Sequence, residues 1–137
     1  MKKILVVDDE KDLVTLLAWN LHREGYRVIT ACDGIEAISV VKHVIPDLML
    51  LDIMMPGMDG MAVLRKFRQD GVARNIPIVM VTARRESSMI LDALECGATD
   101  VVLKPFPMKH MMQWVERWLQ GTCLRPVIQP SGELKSY

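Results

Sequence analysis

The chain has 137 residues with no net formal charge; half of them are apolar and a quarter charged. That is one domain's worth of an ordinary globular protein, long enough to bury a core. Its neutral balance argues against a general nucleic-acid or membrane-surface binder, which would be basic. The apolar stretch behind Lys2 and Lys3 covers only residues 4–7. This is too short for a signal peptide, and no other apolar stretch is long enough to span a bilayer. Cys32, Cys96 and Cys123 stand far apart, without C-x-x-C or zinc spacing. With no secretion signal, they point to reduced thiols and a cytoplasmic protein. The eleven methionines read mostly as flexible fillers of core gaps.

Short apolar runs alternate with amphipathic stretches. Residues 4–7 read as a first strand. Residues 11–24 follow as a helix, with Leu13, Leu16, Leu17 and Leu21 at helical spacing and Asp9 as the expected N-cap. Gly25 ends it. Residues 26–31 form a second strand and residues 34–44 a second helix, which Pro46 closes; Asp33 is a turn or cap residue. "DLMLLD", residues 47–52, is apolar without alternation, as strands buried on both faces of a parallel sheet are. After the loop "MMPGMDG" come a helix over residues 60–69 and a strand over 76–82. A helix over 87–95, a strand over 100–103 and a helix over 107–120 complete the pattern. Strand and helix alternating five times predict an α/β fold with a parallel sheet and right-handed crossovers. Residues 1–120 form the domain. Residues 121–137, with two prolines and no period, read as a tail or the start of a linker.

In an open parallel sheet, ligands bind beyond the carboxyl ends of the strands. The first strand ends in Asp8 and Asp9, the third in Asp52, the fourth in Thr82 and the fifth in Lys104, before Pro105. The second ends in the bland pair Ala31-Cys32. Each polar residue alone has a plain structural explanation: a cap, a loop starter, a strand former, a solvated lysine. Together they place three carboxylates, a hydroxyl and an ammonium group on one rim. His22, His43 and His110 lack such company and read as ordinary surface or boundary residues.

The segments "ILVVDDE", "PDLMLLDIMMPGMDG", "IPIVMVTA" and "GATDVVLKPF" carry a resemblance to the receiver domain of two-component response regulators. It covers residues 2 to about 120. The resemblance implies a CheY-like, flavodoxin-like doubly wound fold: a five-stranded parallel sheet in the order 2-1-3-4-5 with five helices. The first and fifth helices would cover one face and the other three the opposite face. It implies Asp52 as phosphoacceptor, with Asp8, Asp9, Asp52 and the backbone carbonyl of Met54 holding Mg²⁺, for which Mn²⁺ substitutes. The chemistry agrees. A carboxylate can attack phosphorus to give an acyl phosphate. The crowded acids and the anionic incoming group both call for a hard cation that takes carboxylate, water and phosphate oxygens. Lys104 would supply a point charge to a phosphoryl oxygen and Thr82 a hydroxyl that senses it. In relatives the bond from this lysine to the following proline is cis.

Two departures matter. Relatives often have an aromatic residue three before the lysine; here Val101 stands there, which predicts a smaller or differently routed change in the fifth strand. The residues that set phosphoryl lifetime in the family are Met54 and Arg84, an apolar side chain and a long cation that would hinder water. The implied partners are a sensor histidine kinase or phosphotransfer protein and a downstream target or missing output domain. Neither nucleic acid nor membrane is expected to bind. A homodimer through the fourth helix, fifth strand and fifth helix is expected too, with Trp114 and Met112 as apolar anchors. The alternative for Trp114 is cover by the tail, through Leu124, Val127 or Ile128. Two rival functions remain. An aspartate-based phosphohydrolase of the haloacid dehalogenase kind needs D-x-D after the first strand, where this chain has Asp8-x-Glu10. A degenerate receiver acting as a scaffold would not need the full set of acids, threonine and lysine. The expected behaviour is a switch that catalyses its own phosphorylation and dephosphorylation rather than an enzyme.

Overall fold

The computed structural model describes residues 1–71 and 73–121. Its elements run β1 (Lys3–Val7), α1 (Lys11–Arg23), β2 (Arg27–Ala31), α2 (Gly34–Val41), β3 (Leu48–Asp52), α3 (Gly60–Gln69), β4 (Ile78–Thr82), α4 (Ser87–Glu95), β5 (Asp100–Leu103) and α5 (Met108–Leu119). The strands form one parallel sheet in the order β2-β1-β3-β4-β5, as the resemblance implies. Register aligns their ends. Val7 pairs with Leu51, Asp52 with Val81 and Thr82 with Leu103, so the residues that close β1, β3, β4 and β5 share one rim.

The sheet is apolar on both faces because both are covered. Leu5, Val7, Met49, Leu51, Ile78, Met80 and Val101 point to a core closed by α2, α3 and α4. Their neighbours Ile4, Val6, Leu48, Leu50, Val79, Val81 and Val102 point to a core closed by α1 and α5. This is why β3 and β4 show no polar alternation. No helix among the described residues is long and apolar enough to cross a membrane.

Most elements differ from the sequence reading by one to three residues at one or both limits, and for β2, α2 and the N-cap of α1 the reasons are visible in the backbone. Gly25, at φ 93°, lets the chain turn back on α1. The Tyr26 N–H then bonds the Leu21 carbonyl and the Gly25 N–H the His22 carbonyl. Tyr26 is thereby spent on capping a helix and leaves the ladder to begin at Arg27. The last turn of α2 tightens, with Lys42 N–H on the Ser39 carbonyl, so the helix stops at Val41, short of residue 44. The N-cap of α1 is Glu10, without a side-chain cap, not Asp9; the Asp9 carboxylate belongs to the acid cluster described below and does not turn to the helix amides. Asp33 does cap, its side chain accepting the Glu36 N–H.

In α5 the buried stripe is Met111, Trp114, Val115 and Trp118, with Leu119 at its flank. The spacing of three, four and seven from Met111 puts Trp114 inside the stripe. Only 9% exposed, with its ring against His110 and Trp118, Trp114 is a core residue rather than a wet anchor. Met112 lies on a different side, in a shallow groove with Asn20 and Glu24 of α1 and its turn. Met112 is partly buried and packs against the same core from that side. The tail residues expected to cover Trp114, and Cys123, lie outside the described residues.

Candidate phosphoacceptor site

β1 ends by passing its ladder to Asp8, whose N–H bonds the Ala31 carbonyl. The Asp8 carboxylate is then buried and fully engaged. Oδ1 accepts the Glu10 N–H at 2.9 Å and Oδ2 accepts Lys104 Nζ at 2.8 Å. Asp52 closes β3 at 5% exposure. Its Oδ1 accepts the Met54 N–H at 3.1 Å, and its Oδ2 lies 3.4 Å from the same Lys104 Nζ. Lys104 follows β5. Its N–H bonds the Thr82 carbonyl, its peptide bond to Pro105 is cis, and its ammonium group also reaches Glu10 Oε1 at 3.5 Å. Carboxylate oxygens of Asp8, Asp9 and Asp52 lie within 4.8 Å of one another. Asp9 is the exposed member.

The charges do not balance. One ammonium group faces Asp8, Asp52 and Glu10, with Asp9 alongside. Burial, then the charge of Asp8, raises the Asp52 carboxyl to about 6, against the opposing pull of Lys104 and the Met54 N–H. Burial works against the Lys104 charge, but the Asp8 hydrogen bond and the charges of Asp52, Asp8 and Glu10 outweigh it and raise its pKa. Such a set of hard oxygen donors, under-neutralised and open on the Asp9 side, fits a hard divalent cation such as Mg²⁺.

Thr82 is fully buried, and its Oγ1 accepts the Arg84 N–H at 3.0 Å. It stands on the same rim as Asp52, yet its hydroxyl is engaged with its own loop. Met54 and Arg84 meet across the mouth: Arg84 Nη1 lies 3.9 Å from Met54 Sδ, while Nε bonds Glu86. Val101 is buried beneath, in the core shared with α4.

Two residues that position the site were not singled out in the sequence. A Cβ at Gly60 would overlap the backbone of Asp52 and Ile53, and the Gly60 N–H bonds the Ile53 carbonyl. Only glycine lets α3 start hard against the end of β3; the Asp59-Gly60 pair after the loop was the available signal. Glu10, read only as a neighbour of the acids, is a ligand of Lys104. A second group, Cys32, Asp33 and Glu36, has a local explanation. Asp33 caps α2, and Glu36 reaches back to the Cys32 N–H and thiol.

The comparisons agree with this geometry. The model of the response regulator receiver domain family matches residues 4–116. Over 135 residues the chain is 43% identical to the alkaline phosphatase synthesis transcriptional regulatory protein PhoP of Bacillus subtilis, covering 98% of this chain and 54% of that protein. It thus spans about half the length of that curated relative. Among solved structures, the chemotaxis protein CheY4 of Vibrio cholerae superposes with a TM-score of 0.82 at 29% identity, covering 85% of this chain and 98% of that one. The signal receiver domain of a signal transduction histidine kinase from Syntrophus aciditrophicus gives 0.82 at 31% identity, covering 88% and 92%. With the strand order, the acid rim and the family match in agreement, the chain belongs to the response regulator receiver domain family of two-component signalling.

Proposed function

We propose that this receiver is a phosphorylation-activated switch whose acceptor is Asp52, charged by a phosphohistidine of a sensor histidine kinase or phosphotransfer protein. The observation that carries the reading is the sharing of one ammonium group. Lys104 Nζ lies between Asp8 and Asp52, at 2.8 and 3.4 Å, beside a third carboxylate. Asp52 is the acid for this role because its Oδ2 has only the long contact to Lys104, whereas both oxygens of Asp8 are held by short hydrogen bonds. Asp8, Asp9, Asp52 and the Met54 carbonyl are the residues that would hold Mg²⁺ or Mn²⁺. Bound there, the cation supplies the positive charge that an anionic donor needs in order to approach three carboxylates.

Lys104 moves its point charge from Asp52 Oδ2 to a phosphoryl oxygen once the group is in place. Thr82 turns its hydroxyl from the Arg84 N–H toward the same group and draws the β4–α4 loop inward. Val101 offers no ring to swing, so the change at β5 is small and the signal leaves through α4 and the adjoining face of α5. Met54 and Arg84 shade the mouth from water and favour slow self-dephosphorylation. The chain acts as a switch that catalyses its own gain and loss of phosphoryl, not as an enzyme of outside substrates. The longer relative, named a transcriptional regulatory protein, supports an output domain or downstream protein as the recipient.

The test is intact mass after treatment with acetyl phosphate. One phosphoryl adduct should form with Mg²⁺ or Mn²⁺ and not with a chelator. An Asp52→Asn variant that gains an acyl phosphate as readily as wild type would overturn the assignment.

A further inference from the structure

Met54 is 52% exposed, more than any other methionine of the described residues but Met1, while Met49, Met80 and Met111 are fully buried and Met55 is 7% exposed. It is also the only one of these whose sulfur is in a hydrogen-bond-like contact with a cation among the described residues. Arg84 uses its fork twice. Nε holds both Glu86 oxygens, at 2.9 and 3.0 Å, and Nη1 faces Met54 Sδ at 3.9 Å. The two contacting residues leave the sheet in parallel ways. Met54 follows Asp52 by two residues and donates its N–H to Asp52 Oδ1; Arg84 follows Thr82 by two and donates its N–H to Thr82 Oγ1. The side-chain contact therefore forms a bar between the two loops that flank the acceptor. It is a weak bar, because a thioether is a poor acceptor.

We propose that Met54 is a reversible oxidation site for peroxides, and that its sulfoxide tightens this bar over Asp52. In the reaction the Sδ lone pair attacks one peroxide oxygen and the O–O bond breaks. The leaving hydroxide takes the proton carried by the transferred oxygen and departs as water. The sulfur is oxidised by two electrons and the peroxide reduced by two. Methionine sulfoxide reductases, drawing on thiols, restore the thioether. The new S–O group is a strong, dipolar acceptor. Arg84 can bond it through Nη1 in a charge-assisted contact without giving up Glu86, since the fork has separate N–H groups for each. Holding the two loops together narrows the path of water to a phosphoryl group on Asp52. That last consequence rests on the acceptor reading above; the oxidation and the tightened contact do not.

The experiment treats the whole chain with dilute hydrogen peroxide and maps the oxidised peptides, with no phosphoryl donor present. Met54 should oxidise ahead of Met58, which is 36% exposed, with only the terminal Met1 comparably fast. The decay of the acetyl-phosphate-derived adduct is then compared before and after oxidation. Oxidised wild type should lose phosphoryl roughly two- to fivefold more slowly, the scale of one exposed charged contact. Met54→Leu should show no peroxide effect on its own decay rate. Arg84→Ala should still oxidise at Met54 and show none either. Oxidation of Met54 no faster than of Met58, or slowing that persists in either variant, would overturn the proposal. Failure of untreated protein to accept phosphoryl would instead break the acceptor reading. The proposal would then be decided by the Arg84 Nη–H resonances, shifted on oxidation in wild type and unshifted in Met54→Leu.

Discussion

The two ends of the sheet each hold a half-buried cation, and they use it in opposite ways. At the amino end, beyond α3, Arg68 donates to the carbonyls of Gly97, Ala73, Arg74 and Ile76, at 2.8, 3.2, 2.9 and 2.6 Å, and meets Thr99 Oγ1 at 3.5 Å. All of these partners are neutral, and burial lowers the guanidinium pKa. Nearby, Trp118 Nε1 donates to the buried Asp100 at 2.9 Å. At the carboxyl end Lys104 faces Asp8, Asp52 and Glu10, and its pKa is raised. The Arg68 guanidinium is satisfied by these acceptors and has nothing to gain from a ligand. The carboxyl end keeps like charges together and lowers its free energy when a cation or a proton arrives. A fold can carry such frustration at one end while the buried cation at the other is held by neutral acceptors.

The largest expected effect is at the paired end. Arg68→Ala takes the side-chain donor from the Gly97, Arg74 and Ile76 carbonyls, while Ala73 keeps the Ile76 N–H and Thr99 Oγ1 the Ile78 N–H, and it detaches the loop before β4 from the turn before β5. We expect a loss of about 3 kcal/mol in urea unfolding. The chemistry should survive: folded variant protein should take up phosphoryl from acetyl phosphate as wild type does. A loss of stability under about 1 kcal/mol would mean that the contrast between the ends is false.

A smaller effect of opposite sign is expected at the frustrated end. The Asp52 carboxyl is raised to about 6 from an ordinary 3.8, so the folded state binds its proton more tightly than the unfolded chain does. Metal-free stability therefore falls as pH rises through this window and levels off above it. Asp52→Asn removes that fall. At pH 4 the variant and wild type should unfold alike; at pH 7, with a chelator, the variant should be more stable by on the order of 1–2 kcal/mol. Mg²⁺ at pH 7 should recover stability in wild type and much less in the variant. A variant that unfolds at lower urea than wild type at pH 7 would count against crowding.

How far these features were legible in the sequence follows from the range of the forces involved. Local signals placed α3, α4 and β5 at their observed limits, since capping aspartate, glycine stops and apolar runs act within a few residues. The alignment of strand ends let Asp8, Asp9, Asp52 and Lys104 be assembled before any coordinates, because parallel register makes carboxyl ends neighbours. What was not legible depends on partners far along the chain. Arg68 resembles any helix-end cation until Gly97 and Thr99 are brought to it. Gly60 looks like a loop residue until β3 ends against it. Trp114, by contrast, was legible from the spacing of three from Met111, and its expected place at an exposed interface does not hold: it lies in the α1–α5 core.

The last and smallest expected effect separates crowding from capping. Asp9 was expected to cap α1, but Glu10 holds that position and no side chain caps the helix. Asp9 also shares the acid cluster, while lying in solvent where its repulsion is screened. If crowding alone governs this position, Asp9→Asn should raise the metal-free melting temperature at pH 7 slightly, by less than Asp52→Asn does. The rise should shrink in high salt, which already screens the exposed charge, whereas that of Asp52→Asn should persist. Asp9→Ala then serves as the capping control. An Asn caps as well as an Asp, but an Ala does not, so equal melting temperatures for the two variants mean no cap was lost. Both variants should fail to gain phosphoryl from acetyl phosphate with Mg²⁺ if Asp9 is the cation ligand proposed above. A clear fall in metal-free melting temperature for Asp9→Ala alone would restore Asp9 as a cap in solution. A fall in both variants would show that the acids at this end of the sheet are not in conflict at all.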